Sequence, residues 1–140
     1  MKKGEVVLVD DDLPYLGALA NLVKRFHLEP IEFQKPSEAM NYLQSRAEMP
    51  AACFVDMKPY DVHLLKESTT EKDFPEIGIP EKIHALLQER GWLHHFYFIT
   101  AHVSEYDAQV LARTKASCLE KDRVDEFKEK LSEIVRDNKL

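Results

Sequence analysis

Val6-Val7-Leu8-Val9-Asp10-Asp11-Asp12 decides the fold: four apolar residues without a break, then three carboxylates without a break. So short an apolar run has no polar side to offer water, which suits a strand covered on both faces, as parallel strands are. Three further runs share this character: Ala51-Ala52-Cys53-Phe54-Val55, Phe96-Tyr97-Phe98-Ile99 and Ala116-Ser117-Cys118-Leu119. All four read as central strands. A fifth, Pro30-Ile31-Glu32-Phe33-Gln34, alternates apolar with polar and reads as an edge strand, with Pro30 at its start where a missing N–H does no harm.

Segments of helical period separate the runs. Leu16, Leu19, Ala20, Val23 and Phe26 share one face behind an Asp12 N-cap and Pro14 in the first turn. Ser37 is expected to cap a second helix carrying Met40 and Leu43. Pro80 is expected to begin a third, through Ile83, Leu86 and Leu87, that stops at Gly91. Ser104 opens a fourth through Val110 and Leu111, and Asp122 a fifth whose stripe is Val124, Phe127, Leu131, Ile134 and Val135. Five alternations of strand and helix predict an α/β fold, a doubly wound parallel sheet with helices on both faces. Residues 60–79 do not fit, being longer than such connections usually are, and read as an insertion directly after Asp56.

The composition is that of a globular protein, 44% hydrophobic and 31% charged with a mean hydropathy of -0.39, and 140 residues suit one domain, residues 1–140. No apolar run is long enough for a spanning helix, and Asp10 to Asp12 interrupt any secretory signal, so a cytoplasmic protein is expected. Cys53 and Cys118, each within an apolar run, read as small buried hydrophobes rather than a disulfide. A net charge of -6 argues against direct nucleic-acid binding, which relies on basic side chains displacing counterions. None of the six histidines has the spacing of a recognisable zinc motif, so no histidine metal site is expected.

Ligands of an open parallel sheet collect beyond the carboxyl ends of its strands. Those ends carry Asp10 and Asp11, then Asp56, then Thr100, with Lys121 just past the last. Carboxylates brought together repel and demand a cation, and an all-oxygen set suits Mg²⁺ or Mn²⁺. With a metal and Lys121 supplying positive charge, Asp56 is placed to attack phosphorus and Thr100 to donate to a phosphoryl oxygen.

These residues resemble the motifs of response-regulator receiver domains, the CheY-like modules of two-component signalling. Val6 to Asp12 looks like the acidic-pair motif, Phe54-Val55-Asp56-Met57 like the phosphoacceptor strand, Phe98-Ile99-Thr100-Ala101-His102 like the hydroxyl motif and Leu119-Glu120-Lys121 like the lysine motif. The resemblance spans the chain in order. It implies a flavodoxin-like three-layer fold with strand order 2-1-3-4-5. It also implies metal contacts from Asp10, Asp11, Asp56 and the backbone carbonyl of Lys58, and phosphoryl contacts from Thr100, Lys121 and the N–H groups of Met57 and Ala101. A histidine kinase or phosphotransfer protein would supply the phosphoryl group, and a downstream protein would read the result.

The sequence departs from that pattern in four places. Pro59 comes three residues after Asp56 where the family has proline at four, and residues 60–79 lengthen the next connection. Asp122 stands where the family has proline, so a trans bond after Lys121 is expected. Cys118 stands at the position of the family's switch aromatic, so coupling through a moving ring cannot operate unchanged. The leading reading is a stand-alone phosphoacceptor rather than a metabolic enzyme. Its alternative is a pseudo-receiver that binds protein without phosphorylation. An aspartyl-phosphate phosphohydrolase would carry a second aspartate two residues after the nucleophile, where this chain has Lys58.

Overall fold

The computed structural model describes residues 4–57, 78–103 and 105–138. Within them strand and helix alternate five times: β1 (Glu5–Val9), α1 (Leu13–Arg25), β2 (Glu29–Phe33), α2 (Pro36–Gln44), β3 (Ala52–Asp56), α3 (Ile79–Glu89), β4 (Phe96–Thr100), α4 (Glu105–Thr114), β5 (Ser117–Glu120) and α5 (Val124–Asp137). The strands form one parallel sheet in the order β2-β1-β3-β4-β5, as the resemblance implies. Lys58, Pro59, Ser104 and residues 60–77 of the expected insertion lie outside the described residues.

Side chains on a strand alternate between faces, and this sorts the core into two layers. Val6, Leu8, Phe54, Tyr97, Ile99 and Leu119 pack with Leu16, Leu19 and Val23 of α1 and Phe127, Leu131 and Ile134 of α5. Val7, Val9, Cys53, Val55, Phe96 and Phe98 pack instead with Ala39 and Leu43 of α2, Ile83 and Leu87 of α3 and Val110 of α4. Phe54 lies 5.2 Å from the Tyr97 ring and 5.7 Å from Phe127. Fully burying a phenylalanine contributes about 1.5–3 kcal/mol, so truncating Phe54 would open the first layer between sheet and α5. Burial pushes the Cys53 thiol up to about 12, which keeps it a neutral part of the second layer.

Local signals set the helix ends. Asp12 caps α1, its Oδ1 accepting from Tyr15 N–H at 3.2 Å. At the end of α3 the chain turns through Gly91, whose φ of 72° is open to glycine without strain. Gly91 N–H then donates to Gln88 O and Trp92 N–H to Leu87 O, the paired bonds of a Schellman motif.

Three expectations need correction. The Ala116 to Leu119 run is not central: β5 closes one edge of the sheet and leaves Ser117 exposed, because small residues mimic a buried strand in polarity yet offer little to bury. Ser37 does not cap α2; the helix starts at Pro36, whose missing N–H is harmless at the first position, with Lys35 as N-cap. Asp122 does not cap α5 either. It sits in the turn where Arg123 N–H donates to Glu120 O, and Val124 at the head of the stripe is half exposed.

Candidate functional site

Strand parity also decides what meets at the carboxyl rim. Asp10 follows Leu8 in the alternation, Asp56 follows Phe54 and Lys121 follows Leu119, so all three emerge toward α1 and α5. The Lys121 ammonium lies 2.7 Å from Asp10 Oδ2 and 3.8 Å from Asp56 Oδ2. Carboxylate oxygens of Asp10, Asp11 and Asp56 all fall within 4.8 Å of one another. Asp10 and Asp56 are buried, and Asp11 is exposed at the lip. The turn out of β1 holds this arrangement, with Asp12 N–H donating to Asp10 Oδ1 at 2.9 Å.

The electrostatics of the cluster show a shortage of positive charge. Burial pushes the Asp10 carboxyl above the usual carboxylate range, and the Lys121 ammonium and the Asp12 N–H offset only part of the rise. Burial alone would lower Lys121, but the charges of Asp56 and Asp10 outweigh it and hold the ammonium above an ordinary lysine. Tyr15 of α1 lays its ring 4.9 Å from Lys121 Nζ, and burial together with Asp10 and Asp56 drives its phenol far up, so it stays neutral. Beside Lys121 a groove of about 350 Å³ opens between α1 and α5, lined by Tyr15, Leu22, Arg25, Phe127 and Lys128 among others.

Thr100 has the opposite parity, following Phe96 and Phe98 toward α4. Its fully buried hydroxyl lies 3.0 Å from the His102 carbonyl and 3.1 Å from Asp107 Oδ2 on α4. One hydroxyl proton serves these acceptors in turn or is shared between them. Asp107 is itself fully buried and escaped the sequence reading. Its signal was there: Asp107, Val110, Leu111 and Thr114 share one face of α4, and a carboxylate on an otherwise inward face requires a partner.

The remaining candidates divide. Ala101 and His102 follow Thr100 and are exposed. The Met57 N–H, which the resemblance gives to a phosphoryl oxygen, donates here to the Ile99 carbonyl at 2.9 Å, because the β3–β4 ladder runs one residue past Asp56. The carbonyl of Lys58 lies outside the described residues. The Lys121–Asp122 bond is trans, as expected, and Lys121 still reaches Asp10 and Asp56. Cys118, which stands where the resemblance places a switch aromatic, is half-buried with its sulfur 3.8 Å from Met57 Sδ.

No family model matches this sequence, and no curated protein is similar to it. Solved structures are. A CheY-like response regulator receiver domain protein from Methanospirillum hungatei JF-1 is 15% identical, with a TM-score of 0.66 over 97% of this chain and 99% of that one. A response regulator receiver protein from Pseudoalteromonas atlantica is 15% identical, with a TM-score of 0.69 over 96% and 98%. The receiver domain of a Francisella response regulator is 10% identical, with a TM-score of 0.65 over 97% and 99%. Across nearly its whole length, therefore, this chain has the fold of the CheY-like response-regulator receiver domains.

Proposed function

We propose that this chain is a receiver-type phosphoacceptor, in which Asp56 takes a phosphoryl group from the phosphohistidine of a kinase or phosphotransfer protein and the change is passed on through protein contacts. The observation that carries this reading is the meeting of Asp10, Asp11 and Asp56 within 4.8 Å, with the Lys121 ammonium 2.7 Å from Asp10 and 3.8 Å from Asp56. Three carboxylates against one ammonium, all donors being oxygen, fit a hard divalent cation such as Mg²⁺ or Mn²⁺, which Asp10, Asp11 and Asp56 would hold. Such an ion supplies charge neutralisation between the carboxylates and the phosphoryl oxygens.

The residues of the chain do the rest. An Asp56 carboxylate oxygen attacks phosphorus in line; the P–O bond forms as the P–N bond to the donor imidazole breaks, and the imidazole leaves as a neutral ring that keeps the proton already on its other nitrogen. Lys121, already facing Asp56, pairs with the transferred oxygens. Thr100 donates to another oxygen only by turning its proton away from Asp107 and the His102 carbonyl. That turn takes a hydrogen bond from a buried carboxylate on α4, so the signal reaches α4 through Asp107. Cys118 is too small to follow Thr100 inward as a ring would. The reading includes a cytoplasmic setting; among the described residues no helix is long and apolar enough to cross a membrane.

A second reading, a pseudo-receiver that binds protein without phosphorylation, is favoured by the same Thr100 bonds, which engage the hydroxyl elsewhere. Intact-mass measurement after incubation with acetyl phosphate and Mg²⁺ separates the two. The phosphoacceptor gains a phosphoryl mass that is absent in Asp56→Asn. No labelling by acetyl phosphate or by a panel of histidine kinases selects the pseudo-receiver.

A further inference from the structure

At the opposite rim of the sheet the fold gathers a second set of ligating side chains. His94 and His95 immediately precede β4, and Asp137 is the last residue of α5. His95 is buried, with Nε2 2.9 Å from Asp137 Oδ2, while the exposed His94 brings its own Nε2 to 3.6 Å from the same oxygen. The three ligand atoms lie within 4.8 Å of one another, and the imidazoles meet edge to face with centroids 4.4 Å apart. In a tetrahedral zinc site, metal–ligand lengths of about 2.0–2.2 Å put neighbouring ligand atoms roughly 3.3–3.5 Å apart. The two separations to Asp137 Oδ2, 2.9 and 3.6 Å, bracket that spacing, and the two histidine nitrogens lie within 4.8 Å of each other.

The surroundings match as well. His95 Nδ1 lies 3.2 Å from the Tyr97 hydroxyl, the outer hydrogen bond that fixes the ring of a metal-bound histidine and leaves Nε2 to the ion. Arg136 Nε lies 3.6 Å from the other Asp137 oxygen, Oδ1, leaving Oδ2 to face the histidines. Glu133, one turn earlier on α5, is close enough to act on His95. We propose that His94 Nε2, His95 Nε2 and Asp137 Oδ2 bind a divalent transition-metal ion of the zinc class, with water completing the shell. Two imidazoles and one carboxylate are the borderline donors such an ion selects over Mg²⁺.

The competing role is a metal-free clasp between β4 and α5. There His95 Nε2–H donates to Asp137 and the Tyr97 hydroxyl donates to Nδ1. Metal binding reverses that tautomer: the Nε2 lone pair goes to the ion, Nδ1 gains the proton and donates to Tyr97. The full chain is titrated with Zn²⁺ by calorimetry and with Co²⁺ by visible absorption, in excess Mg²⁺ to occupy the carboxylate rim. Wild type and Asp56→Asn should each bind one equivalent of Zn²⁺ and give the intense d–d band of four-coordinate Co²⁺. His94→Ala and Asp137→Asn, both changed at exposed positions, should bind at least about tenfold more weakly. Nitrogen NMR should place the His95 proton on Nδ1 only when Zn²⁺ is present. Equal affinity in wild type and His94→Ala, loss of binding in Asp56→Asn alone, an unchanged His95 tautomer, or no binding at all would each overturn the proposal.

Discussion

The two rims of one sheet carry opposite electrostatic problems. At the carboxyl rim three carboxylates face one ammonium, and burial has pushed Asp10 upward without the surroundings fully offsetting it. At the amino rim two imidazoles face one carboxylate, and burial and the neighbouring His94 hold His95 below an ordinary histidine despite Asp137. The first cluster sets three carboxylates against one ammonium, whereas the second holds a single carboxylate already engaged by His95. A cation at the carboxyl rim therefore relieves a repulsion built into the fold, whereas one at the amino rim displaces hydrogen bonds that already satisfy the groups.

Lys121→Met tests the first half of this contrast most severely. It strips a buried carboxylate of its ammonium and should cost about 3 kcal/mol in denaturant unfolding at pH 7. Asp10→Asn in the same chain should recover most of that loss; simple addition of the two effects would show that the pair is not coupled. Asp10→Asn alone should stabilise. A carboxyl raised above 3.8 in the folded state binds its proton more readily there than when unfolded, so ionised Asp10 opposes folding at neutral pH and that cost lifts as pH falls toward the folded value.

Saturating Mg²⁺, at a hundredfold over its dissociation constant, should stabilise the protein by about 2.7 kcal/mol. A thermal shift with Mg²⁺ that disappears in Asp11→Asn and survives in His94→Ala would assign the gain to the carboxyl rim. Asp107→Asn weakens the acceptor competing for Thr100 by about 1.5 kcal/mol, so labelling by acetyl phosphate should run on the order of tenfold faster. An unchanged rate would remove Asp107 from the switching route. The smallest effect belongs to the histidines. Burial lowers His84 and His95 below 6.5 in the folded protein, so as pH drops through 6.5 the unfolded chain takes up protons that the folded one refuses, and stability declines. The decline should flatten in His84→Gln, read from unfolding midpoints between pH 7 and pH 5.

Much of the carboxyl rim was legible because its information is local. Apolar runs end in Asp10, Asp56 and Thr100, and a parallel sheet presents all such ends on one side, so listing the residues after each run is nearly listing what gathers at that rim. Helix starts were less legible: Asp12 capped α1 as read, but Pro36 outcompeted Ser37 and the turn at Glu120 absorbed Asp122. Asp107 was readable in principle from its face of α4, but its partner was not, since nothing local ties residue 107 to residue 100.

The order of residues along the chain was enough to establish the alternation of strand and helix, the two-layer core and the acidic rim, because periodicity and polarity act over a few neighbours at a time. The tertiary structure alone decided that the Thr100 hydroxyl meets Asp107 and that His94 and His95 meet Asp137, 42 residues apart for the closer pair. Those meetings depend on which face each strand turns to which helix and on where α5 ends against the sheet. Such quantities are fixed by the packing of the whole core.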